Sequence, residues 1–360
     1  MKKNIRDPFV DILKGIGILS VVIGHSGTLL PGMVNIPVTA FVYLYHLMVF
    51  FFTAGMVYNP EKYQDPYFYI GRQLKSSGPL YILYTWGFLL LHNLFAAMHL
   101  VDIPAYTRND LIIYSISTSA FIHTELIAGA LWFVPTLLFS KAFFAVGFQW
   151  AQKRKYPRLA HLAVICITGA IGLYTNHYGF NLSYHLQTAV LGVPVIYLGY
   201  LFALYRTKIQ VFARPILAVP CAAFMYWFLK QNVGFIELSQ NKIISPYLFY
   251  PMTVCGMLFC VCLASAIQKW KYSSNFFSYI GTISFHIMAL HFLVFKCFDW
   301  ICGRLMGLDQ AAVMRFPGAF DNIGAVYTFL GVIVPTLLVY GTQTLRQKRY
   351  RGNKPLYPKL

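Results

Sequence analysis

Four ionisable side chains share one apolar stretch near the start of the chain. Arg6, Asp11 and Lys14 precede His25, which lies deep in the run IGILSVVIGH. On a helix, Lys14 and His25 point the same way and stand about 16 Å apart along the axis. Asp11 lies one turn before Lys14 on nearly the same face. The stripe therefore carries an acid, a base and an imidazole, groups that can hold an anion and transfer a proton. Because ionisable groups inside a bilayer are costly and usually functional, we predict that an active site begins here.

The composition places the chain in a membrane. It has 360 residues, of which 58% are hydrophobic and 11% charged, and its mean hydropathy is +0.57. Soluble domains carry about 25% charged residues. The net charge of +18 does not indicate a nucleic-acid partner, because the basic residues fall between apolar segments rather than on one face. We therefore predict an all-α polytopic membrane protein.

Ten stretches are long and apolar enough to cross a bilayer, which takes about 20 residues. They are 9–29, 38–58, 79–99, 127–148, 159–175, 186–204, 213–230, 246–267, 277–297 and 323–342. The stretch 111–122 is shorter and rich in serine and threonine, so we expect an interfacial or re-entrant helix there. Residues 1–345 are predicted to form the membrane domain, and 346–360 a basic cytoplasmic tail beside anionic lipid head groups.

The lysines and arginines indicate the orientation of these crossings. With the N-terminus inside, 23 of the 29 fall on the cytoplasmic side. The other six are Arg108, Lys230, Lys242, Lys296, Arg304 and Arg315. The positive-inside rule therefore predicts that both termini are cytoplasmic.

This topology sorts the polar groups into two layers. The histidines His25, His46 and His291 fall in the outer halves of their helices. The inner layer holds the charged residues Arg6, Asp11, Lys14, Arg72 and Lys75. A basic cytoplasmic mouth below a histidine-bearing cavity suits an anionic cytoplasmic donor whose reactive end is delivered across the membrane.

Five segments, in their order and spacing, resemble the integral-membrane acyltransferase family 3, which acylates sugars on surface glycans and antibiotics. The first is the stripe from Arg6 to His25, similar to R-x4-D-x2-[RK] followed by apolar residues and a histidine. The second, HLMVFFFTAG (46–55), resembles H-x-P-x-F-F-x-x-S-G, with Met48 in place of proline and Ala54 in place of serine. The others are RQLKSSGPLY (72–81), LWFVPTLLFSK (131–141) and YIGTISFHIMALH (279–291). The resemblance covers nearly the whole chain.

The resemblance implies a reaction. Members of this family take an acyl group, usually acetyl, from cytoplasmic acyl-CoA and place it on a hydroxyl of a glycan. It implies that Arg6, Lys14, Arg72 and Lys75 hold the phosphates of the donor, and that the pantetheine arm threads toward His25. His25 would then be the general base, with an acetyl-histidine intermediate as the alternative to direct transfer. No metal is implied.

The remaining candidates have weaker signals. Asp11 joins the catalytic set by pairing with a basic neighbour, Arg6, Lys14 or Arg72, so that the mouth stays assembled. Four further residues could line the cavity or contact the acceptor: His46, His291, Trp132 and Glu125. The plainer interpretations are helix packing for the histidines, an aromatic belt or core position for the tryptophan, and a solvated loop for the glutamate.

A transporter or flippase for a glycan precursor or a small anionic substrate is the alternative function. Its buried charges would form a substrate or proton path. A transporter of this kind is expected to have matched broken helices in its two halves. The sequence, however, has no clear internal repeat. Release of free CoA in the presence of acceptor would distinguish the enzyme from the transporter.

Overall fold

The protein is helical throughout the part that the structure describes. The computed structural model describes residues 7–27, 38–209, 213–231, 236–243 and 245–349. No strand occurs among these residues, and nine of their helical segments are long and apolar enough to cross a membrane; one of the nine, Val38–Met56, contains two short α-helices. The predicted all-α polytopic membrane fold is therefore confirmed. Arg6 and residues 350–360 of the predicted tail lie outside the described residues.

The helices follow one another along the chain with short connections. The α-helices in the described ranges are α1 (Pro8–His25), α2 (Val38–Tyr43), α3 (Met48–Met56), α4 (Pro66–Ala97), α5 (Arg108–Ser119), α6 (Phe133–Gln152), α7 (Pro157–His177), α8 (Leu186–Ile209), α9 (Ala218–Leu229), α10 (Pro246–Ile267), α11 (Lys271–Thr282), α12 (Ser284–Met306), α13 (Gln310–Met314) and α14 (Gly324–Arg349). Short 3₁₀ segments are Leu126–Trp132, Ser183–His185, Pro215–Leu217 and Leu238–Gln240. We call the end of the bundle at Pro8 the proximal end, and the end at His25 the distal end.

The seventh predicted crossing is shorter than expected. A 3₁₀ turn that begins at Pro215 precedes α9, which leaves an α-helix of only 12 residues. The chain nevertheless passes here from one end of the bundle to the other. Before this segment, Arg206 pairs with Asp7 at the proximal end, at 2.6 Å. After it, Glu237 hydrogen-bonds Tyr43, whose ring lies beside His25 at the distal end.

The last helix returns to the end where the first one starts. Near the start of α14, the hydroxyl of Thr328 donates to that of Ser26, which follows α1, at 3.0 Å. Near the other end of α14, Gln343 accepts a hydrogen bond of 3.2 Å from Tyr279, one residue after Ser278, which bonds the Pro8 carbonyl. The start of α1 and the end of α14 therefore share the proximal end.

Two of the predicted crossings are broken. The segment 38–58 divides between α2 and α3, and the turn between them includes His46. The segment 277–297 divides at Ile283, between α11 and α12. The backbone in the first break is still hydrogen-bonded, because the backbone N–H of His46 donates to the carbonyl of Val42 at 2.9 Å. Both breaks therefore meet the requirement that backbone groups inside a membrane protein be satisfied internally.

Helix α5 folds back along α4. At its start, the side chain of Asn93 on α4 holds the backbone of Tyr106, just before α5, through two hydrogen bonds of 2.7 and 3.0 Å. Just after its end, the ring of Phe121 stacks on that of Tyr81, at 4.5 Å. These contacts lie twelve residues apart on α4, or about 18 Å along its axis. The short helix predicted at 111–122 therefore exists and lies along a membrane-length helix, which favours the re-entrant alternative.

Helix α1 lies at the centre of the bundle. It packs against α2, α3, α10, α11, α12 and α14. Its closest neighbour is α11, where a Cβ atom on Gly281 would lie 1.9 Å from the carbonyl oxygen of Asp11. A Cβ atom on Gly15 would lie 2.2 Å from the carbonyl oxygen of Phe277. Small residues that let backbones touch are typical of helix contacts in membranes. The helix that carries the candidate site is therefore held rigidly.

Candidate active site

A pair of histidines forms the core of the site. His25 ends α1, and its Nδ1 lies 3.0 Å from Nε2 of His291, about two turns into α12. His291 is completely buried, and His25 is half-buried. The ring of His25 therefore faces the bundle interior rather than lipid. The sequence placed both histidines in one layer, but it did not predict that they touch.

The hydrogen bonds around His291 determine where the protons lie. Its Nδ1 faces the carbonyl oxygens of Ile287 and Met288, at 3.1 and 2.9 Å. Because carbonyl oxygens only accept, Nδ1 must carry a proton, and Nε2 of the neutral ring has none. Nε2 then accepts from Nδ1–H of His25. The remaining nitrogen of His25, Nε2, is left with a lone pair, which a general base requires.

Aromatic rings enclose this pair. The ring centroid of Phe292 lies 4.8 Å from that of His25 and 4.2 Å from that of His291. The ring of Phe316 packs on Phe292 from the other side, at 4.6 Å. Tyr43 approaches His25 edge-on, at 6.5 Å. An apolar wall of this kind keeps water away from the imidazoles. It therefore strengthens the electrostatic interactions of any charge that develops beside them.

His46 lies next to this wall and not in contact with His25. Its ring stacks on Tyr43 at 4.6 Å, and Tyr43 separates it from His25. Its Nδ1 donates to the carbonyl of Val42 at 3.1 Å, within the break between α2 and α3. The structure therefore places His46 one ring away from the histidine pair.

A buried ion pair anchors the loop that carries Phe316. Lys296 donates to the carboxylate of Asp299 at 3.2 Å, and both side chains are fully buried. The ammonium also donates to the carbonyl of Arg315 at 2.8 Å. Tyr327 and the backbone N–H of Ala319 donate to Asp299. Lys296 was counted among the outside charges. The structure adds that this side chain is not a solvated charge, because it points into the protein and ties the loop to α12.

The proximal end gathers some of the predicted donor residues. Asp11 is buried on α1, and Lys14 is half-buried one turn above it. Arg72 and Lys75 are exposed on α4. Between them, Gln73 turns toward the interior. The described residues therefore place Lys14 inside the bundle and the two α4 cations at its surface.

Lys141 is a residue that the sequence reasoning missed. It was counted with the loop charges at 141–158, but α6 continues to Gln152, so Lys141 lies inside the helix. Its ammonium donates to the side-chain oxygen of Gln73 at 3.1 Å. Lys14 lies close enough for the two ammonium groups to repel each other. The signal in the sequence was a lysine within an apolar segment, the same signal that identified Lys14.

Two cavities meet at Lys141. One, of about 260 Å³, lies between α4 and α6, and the residues around it include Tyr69, Phe121 and Tyr184. The other, of about 90 Å³, is lined by Phe50, Ser77, Phe133, Ser284 and Met288 among others. Leu138 and Lys141 belong to both walls. The smaller cavity reaches Met288, whose carbonyl oxygen holds His291.

Glu125 belongs to a separate polar cluster. It is buried, and it accepts from His92 Nδ1 at 2.9 Å and from His123 Nε2 at 3.2 Å. The other nitrogen of His92, Nε2, donates to the carbonyl of Pro104 at 3.0 Å, so both nitrogens of this ring have partners. Burial, and next the Glu125 carboxylate, raise the pKa of Tyr106, which keeps its hydroxyl a donor to Glu125. Glu125 is therefore a bonded interior group and not a solvated loop residue.

Trp132 ends the 3₁₀ segment that begins after Glu125. Its ring packs against His185 at 4.5 Å and against Phe133 at 5.9 Å. The same segment passes α12, where a Cβ atom on Gly129 would lie 3.7 Å from the ring of Phe292. The segment thus forms part of the wall behind the histidine pair. In the described residues no group of three or more His, Cys, Asp or Glu side chains could hold a metal ion.

Comparison with known proteins gives one match. A family model described as an acyltransferase domain, that of acyltransferase family 3, covers residues 7–341. It begins at the cap of α1 and ends within α14, so it includes every element of the site described above. Neither the curated proteins nor the solved structures include a match to this chain.

Proposed function

Because the chain belongs to the integral-membrane acyltransferase family 3, we propose that it moves an acetyl group from cytoplasmic acetyl-CoA to a hydroxyl of a cell-surface or exported glycan. One observation carries the chemical part of this proposal. The bond to His291 leaves His25 with an unprotonated Nε2 in an apolar enclosure. A sugar hydroxyl is a weak nucleophile at neutral pH, so its acylation needs such a base.

The proposed reaction is a direct transfer. The hydroxyl oxygen attacks the carbonyl carbon of the thioester while His25 Nε2 takes the hydroxyl proton. The imidazolium that forms is stabilised by its hydrogen bond to His291. When the carbon–sulfur bond breaks, the same proton passes to the sulfur, and free CoA leaves as a thiol. A positioned base of this kind accelerates such a step by roughly 10²–10⁴-fold.

The donor is proposed to reach the site from the proximal end. Arg6, Lys14, Arg72 and Lys75 would hold its phosphates there, and Asp11 would keep the basic groups in place. Lys14 and His25 lie on one face of α1, about 16 Å apart, so a donor held at the first presents a flexible arm toward the second. This arrangement supports an extended anionic donor with its reactive group at one end.

We assign the proximal end to the cytoplasm and the membrane to the inner membrane of a bacterium. The positive-inside rule supports this orientation, and the start of α1 and the end of α14 share one end of the bundle. The acceptor would then meet the site at the distal end. Four residues would line the distal side of the site and contact the acceptor or shape its binding surface: His46, Trp132, Glu125 and Phe316.

The direct test measures the product. Surface glycans from cells with and without the intact gene would be compared by mass spectrometry, and a difference of one acetyl unit is expected. Purified protein in lipid should release free CoA from acetyl-CoA only when acceptor is present. Glycans unchanged by the loss of the gene, together with no CoA release, would refute the proposal.

A further inference from the structure

Lys141 is a half-buried cation that has no acidic partner among the described residues. In the described part of the chain, no carboxylate lies within ion-pairing distance of its ammonium group, and its one hydrogen bond goes to the neutral amide of Gln73. An ammonium group has three donors, so two remain unused. A charge at this depth is costly unless an anion accompanies it. The position is therefore suited to an anionic ligand.

Three helices bring donors to this point. Lys14 lies six residues into α1 and Gln73 seven residues into α4, which puts each about 9–11 Å from the start of its helix. Lys141 reaches them from α6, with Lys14 close enough to repel it. The amide N–H₂ of Gln73 adds two more donors beside the ammonium. Two cations and an amide that converge in this way match a phosphate, which offers several acceptor oxygens.

The cavities indicate which phosphate would fit. The smaller cavity starts at Lys141 and runs past Ser77 and Ser284 to Met288, directly below His291. Its volume of about 90 Å³ is too small for a nucleotide and leaves room for a segment of a narrow flexible arm. Arg72 and Lys75 lie at the exposed surface, so they are placed for the bulkier nucleotide part of a donor. A phosphate at Lys141 would be the one joined to the arm.

We propose that Lys141, Lys14 and Gln73 form an anion site for the phosphate that joins the pantetheine arm of the donor to its nucleotide. This inference rests on the proposed function, since it needs a CoA thioester as donor. The arm then occupies the smaller cavity and carries the thioester toward His25. A phosphate bound here places negative charge beside Lys141 and offers its oxygens to the two donors of the ammonium group that are not used by Gln73.

Competition binding can isolate this one contact. Full-length protein in lipid nanodiscs would be loaded with labelled CoA and displaced by CoA, 4′-phosphopantetheine or pantetheine. In Lys141→Met, which keeps the length of the side chain and removes its charge, 4′-phosphopantetheine should bind about ten- to a hundredfold more weakly. Pantetheine, which lacks the phosphate, should bind as it does to the unmodified protein. Lys141→Arg should recover most of the affinity.

The matched control is Lys153→Met, which removes an exposed lysine just after the same helix. It should leave all three affinities unchanged. Normal CoA binding by the unmodified protein, together with undiminished 4′-phosphopantetheine affinity in Lys141→Met, would overturn this site alone. An equal loss for pantetheine and 4′-phosphopantetheine would also overturn it, because the phosphate would then not be the recognised group. No binding of any CoA compound by the unmodified protein would overturn the proposed donor and this site with it.

Discussion

The imidazole rings of His25 and His291 lie nearly parallel, 7° apart, with their centroids separated by 5.2 Å. The hydrogen bond between them joins two residues that are 266 positions apart in the sequence and lie on different helices. The ring of His25 is half-buried and keeps a lone pair on Nε2, and the ring of His291 is bound to backbone carbonyls. The two histidines therefore have different roles, and each role predicts a different effect of mutation.

His291 should act as a positioning residue for His25. His291→Ala removes the acceptor of the His25 Nδ1–H bond, so the ring can turn or change tautomer. We expect kcat to fall about ten- to a hundredfold, with little change in the KM for donor. His291→Gln keeps an amide oxygen that can accept the bond, so it should recover part of kcat. Equal activity losses in the alanine and glutamine variants, with an unfolded protein by thermal scan, would contradict this role.

His25→Ala should lower the transfer rate by roughly 10²–10⁴-fold while the protein still inserts and folds. The rate of the unmodified enzyme should rise with pH until His25 is neutral, because the imidazolium form has no lone pair for the hydroxyl proton. The residual rate of the variant should lack this rise. His161→Gln serves as the control, since His161 bonds Tyr197 near the proximal end of α7. Near-normal acetylation by His25→Ala would remove the base assignment.

Arg72→Ala should weaken binding of the donor without slowing the chemical step. Because Arg72 is exposed, its contribution is screened, and we expect the donor KM to rise about three- to tenfold with kcat unchanged. The difference from the unmodified enzyme should shrink at high salt. Lys62→Ala, an exposed lysine shortly before α4, is the matched control. A donor KM that does not move would exclude Arg72 from the donor site.

Asp299→Ala should destabilise the protein strongly. It leaves the fully buried ammonium of Lys296 without its carboxylate, a change that costs about 3–5 kcal/mol in buried pairs. The comparison is Asp321→Ala, which breaks an exposed bridge to Arg315 and should cost less than about 1 kcal/mol. Thermal unfolding in detergent measures both. Equal shifts for the two variants would show that the buried pair does not anchor the loop.

Gly281→Ala should destabilise the contact between α1 and α11. The new methyl group would meet the carbonyl oxygen of Asp11 at 1.9 Å, so the backbones must separate, at a cost of about 1–3 kcal/mol. Gly87→Ala, on α4, meets nothing within 4 Å and should be neutral or stabilise by about 0.4–1 kcal/mol. Activity should fall only in the first variant, because α1 carries His25. Unfolding temperatures that do not separate the two would refute the close contact.

The membrane fold could be predicted because spanning helices must be long and apolar. For the same reason, charges inside them stand out, and His25 and Lys14 were found in this way. Periodicity does not tell which helices touch, so the bond between His25 and His291 could not be derived. The breaks at His46 and Ile283 were also missed. Met48 replaces the proline of the family motif, yet α3 still begins there, at the position where proline is favoured.

Lys141 and Lys296 were misplaced for a related reason. Each lies within a predicted apolar segment. In the charge count for the orientation, however, each was counted with the charges of the loop that follows its segment. Counting charges assumes that a lysine near a helix end reaches water. The structure instead turns Lys296 onto Asp299 and Lys141 onto Gln73. The folded arrangement of polar partners, which no local pattern encodes, decides between the two outcomes.

The hydrogen bonds of His291 end on the peptide carbonyls of Ile287 and Met288. These oxygens cannot take up a proton, so His291 cannot pass a proton on in that direction. In the proposed reaction, a proton gained at His25 would have to leave by the face through which it came. The histidine pair would then offer protons no path through the bilayer during the transfer.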